Sequence, residues 1–296
     1  MYGVKDSSIK IYVFKGEILN RIFVAKKPLF VSSNGYLGFL KRRDRIKKAG
    51  FSGILDPFAC GTLVVAYGQY TRLFPFLPKN PKVYQATLWL GLESDSLDIE
   101  NVKKIHHIQR FSEEYLEDLL KKFCGEISFV PPKYSAKKID GKKAYELARA
   151  GQKVQLKEQT MEIFKIEFLN YSHPFLSFKV WVSEGSYIRS LGELIAKELG
   201  CMGGLSYLER LSEGGLVYEN EKNLNPLEIL GLPKILIEKN QRNILEEKVK
   251  NGKKITQEEL KIHKDGKYIV QFEDFFSIIS KQEREIQYLA NRIPLC

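Results

Sequence analysis

The sequence predicts an α+β fold: a central mixed, largely antiparallel sheet flanked by helices, with a small β-rich appendage at the C-terminal end. Three observations carry it. Strand-like runs at 83–92 (VYQATLWLGL), 160–171 (TMEIFKIEFLNY) and 175–185 (FLSFKVWVSEG) stand among amphipathic helical segments at 112–125 and 187–201. They do so without the regular strand–helix alternation of a doubly wound parallel sheet. After Pro226 the pattern changes to short mixed segments such as GKKITQEEL and GKYIVQFEDFFSIIS. Residues 1–225 are thus expected to form one large domain, and 226–296 a small C-terminal region.

Each element has its own local reason. IKIYVF (9–14) and RIFVA (21–25) read as short strands, the first as a peripheral extension. In GYLGFLKRRDRIKKAG (35–50), Leu37, Leu40 and Ile46 recur at helical spacing and leave a basic face from Lys41 to Lys48. Pro57 suits a first helical position, so PFACGTLVVAYG is expected to be helical. Ser112 caps the next helix, Glu113 and Glu114 occupy its first turn and Gly125 ends it. Residues 131–143, PPKYSAKKIDGKK, carry five lysines against one aspartate and precede a short helix at 144–151. YIRSLGELIAKELGC (187–201) is expected to pass from strand into helix, with Leu191, Leu194, Ile195, Ala196 and Leu199 facing inward.

Composition narrows the function. The 296 residues are 44% hydrophobic and 28% charged, an ordinary globular balance, with a formal net charge of +11. From residue 226 onward there are 13 basic and 11 acidic residues, so a net +9 lies upstream, where a polyanionic partner is expected. Four dispersed cysteines, no CxxC and four histidines provide no metal-ligand spacing and no disulfide framework. No run of eighteen apolar residues and no signal-peptide pattern is present. A soluble, cytoplasmic protein is expected, with no membrane partner. Neither GxGxxG nor GxxxxGK[ST] occurs, which leaves a nucleotide cofactor unsupported.

A handful of residues can carry chemistry. Asp56 is a lone carboxylate in the apolar, glycine-punctuated run AGFSGILDPFACGTL. It can cap a helix begun by Pro57, or serve as a nucleophile in a dry cleft. Lys82 and Tyr84 open a buried strand. Asp95 and Asp98 lie in serine-flanked turns that Asx geometry explains better than a divalent-metal site does. Tyr187 and Arg189 would share a face if extended. A guanidinium is always charged and planar, which makes Arg189 the natural partner of a buried carboxylate. Leu208 and Arg210 close LSYLERL. For RNA, the basic face at 41–48 and the loop at 131–143 supply charge, while Phe51, Tyr84, Tyr134, Tyr145 and Tyr187 supply rings for stacking.

Taken in order, KKPLFVSSN (26–34), GFSGILDPFACGTLVVAYGQYTRL, KVYQATLWLGLESDSLD, PPKYSAKKIDGKKAYELARAG and GSYIRSLGELIAKELG…LSYLERL closely resemble the bacterial tRNA pseudouridine synthase B family across about residues 20–211. The resemblance implies the pseudouridine synthase fold, with an RNA-gripping insertion at about 131–156 and a C-terminal region like a reduced PUA domain. It implies isomerisation of a T-loop uridine of tRNA, uridine 55, without metal or organic cofactor; a monomer is expected. Carried over, Asp56 is the catalytic aspartate, Tyr84 stacks on the base and takes part in proton transfer, and Arg189 pairs with Asp56. Tyr187 and Leu208 line the base pocket, while Phe51, Lys82, Lys137, Lys138 and Arg210 contact substrate. Two other functions share the scaffold: a non-catalytic tRNA-binding or RNA-folding protein, and a synthase with another RNA target.

Two departures from the family pattern stand out. GFSG places Phe51 where the family usually has histidine; phenylalanine can wedge or stack but cannot donate a hydrogen bond, so slower or context-shifted base flipping is expected. Glu209 stands where a second basic residue is common, which weakens a backbone contact.

Overall fold

The computed structural model describes residues 19–295 except 136, 140, 151 and 153–155; the strand expected at 9–14 lies outside them. The chain begins with β1 (Arg21–Lys27), α1 (Ser33–Arg43), β2 (Ala49–Ser52) and β3 (Cys60–Tyr67), then a 3-10 helix at Gly68–Phe76. β4 (Lys82–Leu90) leads into a small hairpin of β5 (Leu92–Ser94) and β6 (Val102–Ile105), followed by α2 (Glu113–Lys121) and β7 (Gly125–Phe129). The lysine-rich segment forms β8 (Lys138–Ile139), β9 (Lys142–Lys143) and α3 (Ala144–Arg149). β10 (Gln159–Ser172) and β11 (Phe175–Val182) pair as neighbours, ahead of α4 (Ile188–Glu198), β12 (Gly203–Glu213) and β13 (Leu216–Val217). The remainder comprises α5 (Pro226–Ile229), β14 (Lys234–Ile235), α6 (Lys239–Lys250), α7 (Gln257–Leu260), β15 (Gly266–Gln271), β16 (Phe275–Gln282) and β17 (Glu285–Pro294).

The main sheet has nine strands in the order β1-β3-β12-β4-β11-β10-β7, with β2 added to β3 and β13 to β12. Its pairs are antiparallel except β3 with β12, so the sheet is mixed and the fold is α+β as expected. Helices α2 and α4 cover the face of β4, β10, β11 and β12. Leu116, Leu119 and Leu120 of α2, and Leu191, Ile195 and Ala196 of α4, join one core with Leu88, Phe178 and Val180. The second sheet, β14-β15-β16-β17, docks on the first through Ile269, Phe276 and Ile278, which pack with Ile22 and Val64 across the 226 boundary.

The stretch after Pro57 departs from the expected helix. Residues 57–58 form a turn and Cys60–Tyr67 is a strand buried at every position. The reason is two-sided burial: Leu63, Val65 and Tyr67 pack with Phe23 and Leu40, while Val64 and Ala66 pack with Ile22 and Tyr70. With both faces covered, the apolar run loses its alternation and cannot be told from a buried helix by periodicity. The basic helix is also shorter than expected, ending at Arg43, and Ala49–Ser52 continues as β2.

Gly61 secures the one parallel strand pair of the main sheet. Its φ is +105°, and a Cβ there would lie 2.3 Å from the Arg210 carbonyl oxygen of β12. Gly61→Ala is expected to destabilise the protein by about 2 kcal/mol or more, through backbone strain and a forced separation of β3 from β12. Thermal and urea unfolding measure the loss.

Candidate active site

Asp56 sits in a turn between β2 and β3, its chain direction reversed by the Ala59 N–H donating to the Asp56 carbonyl at 3.1 Å. It caps no helix. The turn is gripped from outside: the Ser33 hydroxyl, at the start of α1, both donates to the Leu55 carbonyl at 3.0 Å and accepts from the Leu55 N–H at 2.9 Å. Lys27, fully buried, donates through Nζ to the carbonyls of Pro28 at 2.9 Å, Val31 at 2.6 Å and Pro57 at 3.3 Å. Burial pulls the Lys27 ammonium down to about 8.

Arg189 meets Asp56 edge to edge. Nε lies 2.8 Å from Oδ2 and Nη2 donates to Oδ1 at 2.9 Å, a bidentate pair. The remaining N–H groups donate to the Ser96 carbonyl (2.7 Å), Asp98 Oδ2 (3.2 Å) and the Tyr134 carbonyl (2.8 Å). All four Nη hydrogens are therefore hydrogen-bonded, and Nε adds an ion-pair contact with Asp56. Asp98 is 1% exposed, and its Oδ1 accepts from the Ser96 hydroxyl at 2.5 Å and the Glu100 N–H at 2.9 Å. Burial pushes the Asp98 carboxyl up, with Arg189 opposing that shift. Arg189 is the second residue of α4, not a strand residue, and Tyr187 is the helix N-cap.

This pair lies at the wall of a cavity of about 460 Å³ that Lys82, Tyr84, Lys137, Tyr187 and Leu208 also line. Tyr84 and Tyr187 are aromatic faces, both with hydroxyls held un-ionised by burial, and Leu208 is an apolar wall. The Tyr187 ring packs 5.8 Å from Phe129, which fixes its tilt. Burial lowers the Lys82 ammonium from its ordinary value. A second cavity, about 350 Å³, reaches Asp56 and Arg189 from the side of Ser32, Asn34 and Asn101. The enclosure suits a flat, polar ring held between aromatic and aliphatic surfaces beside an ion-paired carboxylate.

Two expected contacts, Arg210 and Phe51, line neither cavity. Arg210 is 1% exposed and lines neither cavity; it donates to the Thr62 carbonyl at 2.8 Å and the Gly53 carbonyl at 2.9 Å, so it supports the site from below. Phe51 also lines neither cavity; it pairs with Val65 and packs, half-buried, beside Phe23, Leu63 and Tyr67. Glu209 faces Lys26 at 3.1 Å. The side chains of Lys138 and Tyr145 lie outside the described residues. Asp98 is the residue sequence reasoning undervalued: its flanking Leu97 and Ile99 were the available sign that this turn is buried.

A solved Cbf5–Nop10–Gar1 complex has the same fold, at a TM-score of 0.64 and 19% identity over 90% of this chain and 83% of that one. An H/ACA RNP bound to a substrate RNA containing 2′-deoxyuridine matches equally, at 0.64 and 18% identity over 93% and 85%. The family described as TruB family pseudouridylate synthase (N-terminal domain) matches residues 41–188. A tRNA pseudouridine synthase B of Nitratiruptor sp. is 49% identical over 93% of this chain and 98% of its own length. One from Campylobacter jejuni is 48% identical over 94% of this chain and all of its own. The chain belongs to the TruB family of pseudouridine synthases.

Asp98 and Asp56 separate support from chemistry. Asp98→Asn is expected to lower unfolding free energy by about 2 kcal/mol, because it withdraws a buried carboxylate from Arg189. Asp56→Asn, at a side chain 31% exposed, is expected to cost under about 1 kcal/mol. Urea unfolding of the two variants provides the comparison.

Proposed function

We propose that the protein isomerises uridine to pseudouridine in tRNA, at uridine 55 of the T loop, with Asp56 as the nucleophile. The observation that carries this is the bidentate Asp56–Arg189 pair opening onto a cavity walled by Tyr84, Tyr187 and Leu208. A uridine stacked within a loop cannot reach such a cavity, so the nucleotide is flipped out of its stack to enter. Asp56 then acts covalently, at C6 of the base or at C1′ of the ribose. The C1′–N1 bond breaks, the uracil turns within the closed pocket, a C1′–C5 bond forms, and the bond to Asp56 breaks to release the carboxylate. C5 gives up its proton and N1 gains one, so composition is unchanged. Arg189 keeps the carboxylate aimed, and the aromatic and aliphatic walls keep the detached ring from escaping.

RNA grip belongs to the same reading. Lys137 borders the cavity and directly precedes β8, in the segment that follows β7 in the chain and leads to β10. We take this insertion as the clasp on the T arm, residues 226–296 as a second RNA-contacting unit, and the enzyme as a cytoplasmic monomer. The buried, two-carboxylate setting of Arg189 favours catalysis over a purely RNA-folding role, since binding alone does not call for it.

Two measurements test this. Unmodified tRNA transcript incubated with the protein is expected to acquire pseudouridine at position 55 by chemical mapping, with product abolished in Asp56→Asn; equal product from that variant would overturn the mechanism. Filter binding across a salt series is expected to show affinity falling with salt. Lys137→Ala should weaken binding and reduce the log–log slope by about 0.7–0.9, one phosphate contact; an unchanged slope would remove Lys137 from the grip.

A further inference from the structure

Beneath the first cavity lies a group of buried charges that the isomerisation itself does not use. Glu213, 1% exposed at the end of β12, gathers residues from three strands. Its Oε1 accepts from the Ser52 hydroxyl of β2 at 2.6 Å and lies 3.7 Å from Lys82 Nζ of β4. Its Oε2 lies 3.3 Å from Arg210 Nη2, and the same nitrogen donates to the Gly53 carbonyl at 2.9 Å. Glu213 is thus the carboxylate between two buried cations.

The cluster presses on the chain just ahead of Asp56. Gly53 has φ +63°, and a Cβ there would lie 2.8 Å from Arg210 Nη1, 2.9 Å from Glu213 Oε2 and 3.0 Å from Lys82 Nζ. Three charged groups therefore converge on the open side of one glycine, three residues before the nucleophile. Were Glu213 uncharged, Lys82 and Arg210 would face each other as like charges in a dry site, and Arg210 would be driven off the Gly53 carbonyl.

We propose that Glu213 is a positioning residue: by holding Ser52 and Arg210 it fixes the Ser52–Gly53 backbone, and so the turn that aims Asp56 into the cavity. This rests on the isomerase reading above. Arg210 is also the register partner of Tyr84, so the same cluster backs a second wall of the pocket. The charges around Glu213 and Lys82 are Arg210 on β12, Lys79 before β4 and Glu184 after β11.

Single-turnover pseudouridine formation and tRNA dissociation constants are measured for wild type, Glu213→Gln, Ser52→Ala and the double variant. Glu213→Gln is expected to slow the single-turnover rate about 10- to 100-fold, with tRNA affinity within about twofold of wild type. Ser52→Ala is expected to slow it about 3- to 10-fold, and the double variant to be no more than about twofold slower than Glu213→Gln, since both act through one bond. A Glu213→Gln rate near wild type, a rate loss matched by lost tRNA binding, or fully multiplicative effects would overturn the proposal. If Glu213→Gln does not fold, Ser52→Ala decides, because it leaves both ion pairs in place; an unchanged rate there overturns it. Wild type without product would overturn the isomerase reading, and this proposal with it.

Discussion

The guanidinium of Arg189 is the point on which the site depends. It spends its Nη hydrogens and its Nε contact on three segments far apart in sequence: the Asp56 turn, the Ser96–Asp98 turn and Tyr134. A cation in the first turn of a helix opposes the helix dipole, and one that is 3% exposed is also stripped of water. Such a placement is stable only where acceptors are complete, and here two carboxylates and two carbonyls complete them. The Tyr134 carbonyl has a further consequence. It ties the root of the lysine-rich insertion to the catalytic pair, so a movement of that insertion bears directly on Arg189.

Much of this was legible in the sequence, for reasons that differ residue by residue. The helix at 113–121 announces itself through its Ser112 cap and its apolar stripe. Asp56, Tyr84, Tyr187, Leu208 and Arg189 do converge, although their spacing alone did not require it. What failed to show was anything decided by burial on two sides. β3 reads as helix because both its faces are covered. Arg210 reads as a substrate contact because an arginine beside a pocket residue is normally at the surface, whereas it is enclosed here between β3, β12 and the Gly53 carbonyl. Phe51 illustrates the same limit. Its motif places it near the nucleophile, but the alternation of β2 turns it toward the Phe23 and Tyr67 side.

Support of the Asp56 turn is layered from opposite directions. Ser33 and Lys27 hold Leu55 and Pro57 from the α1 side, through neutral and cationic donors to backbone groups. Arg210 holds Gly53 from the β12 side. The turn itself contributes little regular hydrogen bonding, so its shape is set by these side chains. That arrangement explains why residues with no place in the chemistry are as deeply buried as those that have one.

The burial of the acids also separates their roles. Asp98 is almost wholly buried: one oxygen receives Arg189, the other receives Ser96 and Glu100, and of the two cavities beside Asp56 it borders only the smaller. Asp56 keeps 31% of its side chain exposed; its Oδ1 accepts one N–H from Arg189 and its Oδ2 lies 2.8 Å from Arg189 Nε. A carboxylate offers about four lone-pair directions, so about two remain free. Asp56 lines both cavities. Arg189 therefore orients Asp56 without exhausting it, which is the condition a positioned nucleophile has to meet, and it is Asp98 that absorbs the rest of the arginine's charge.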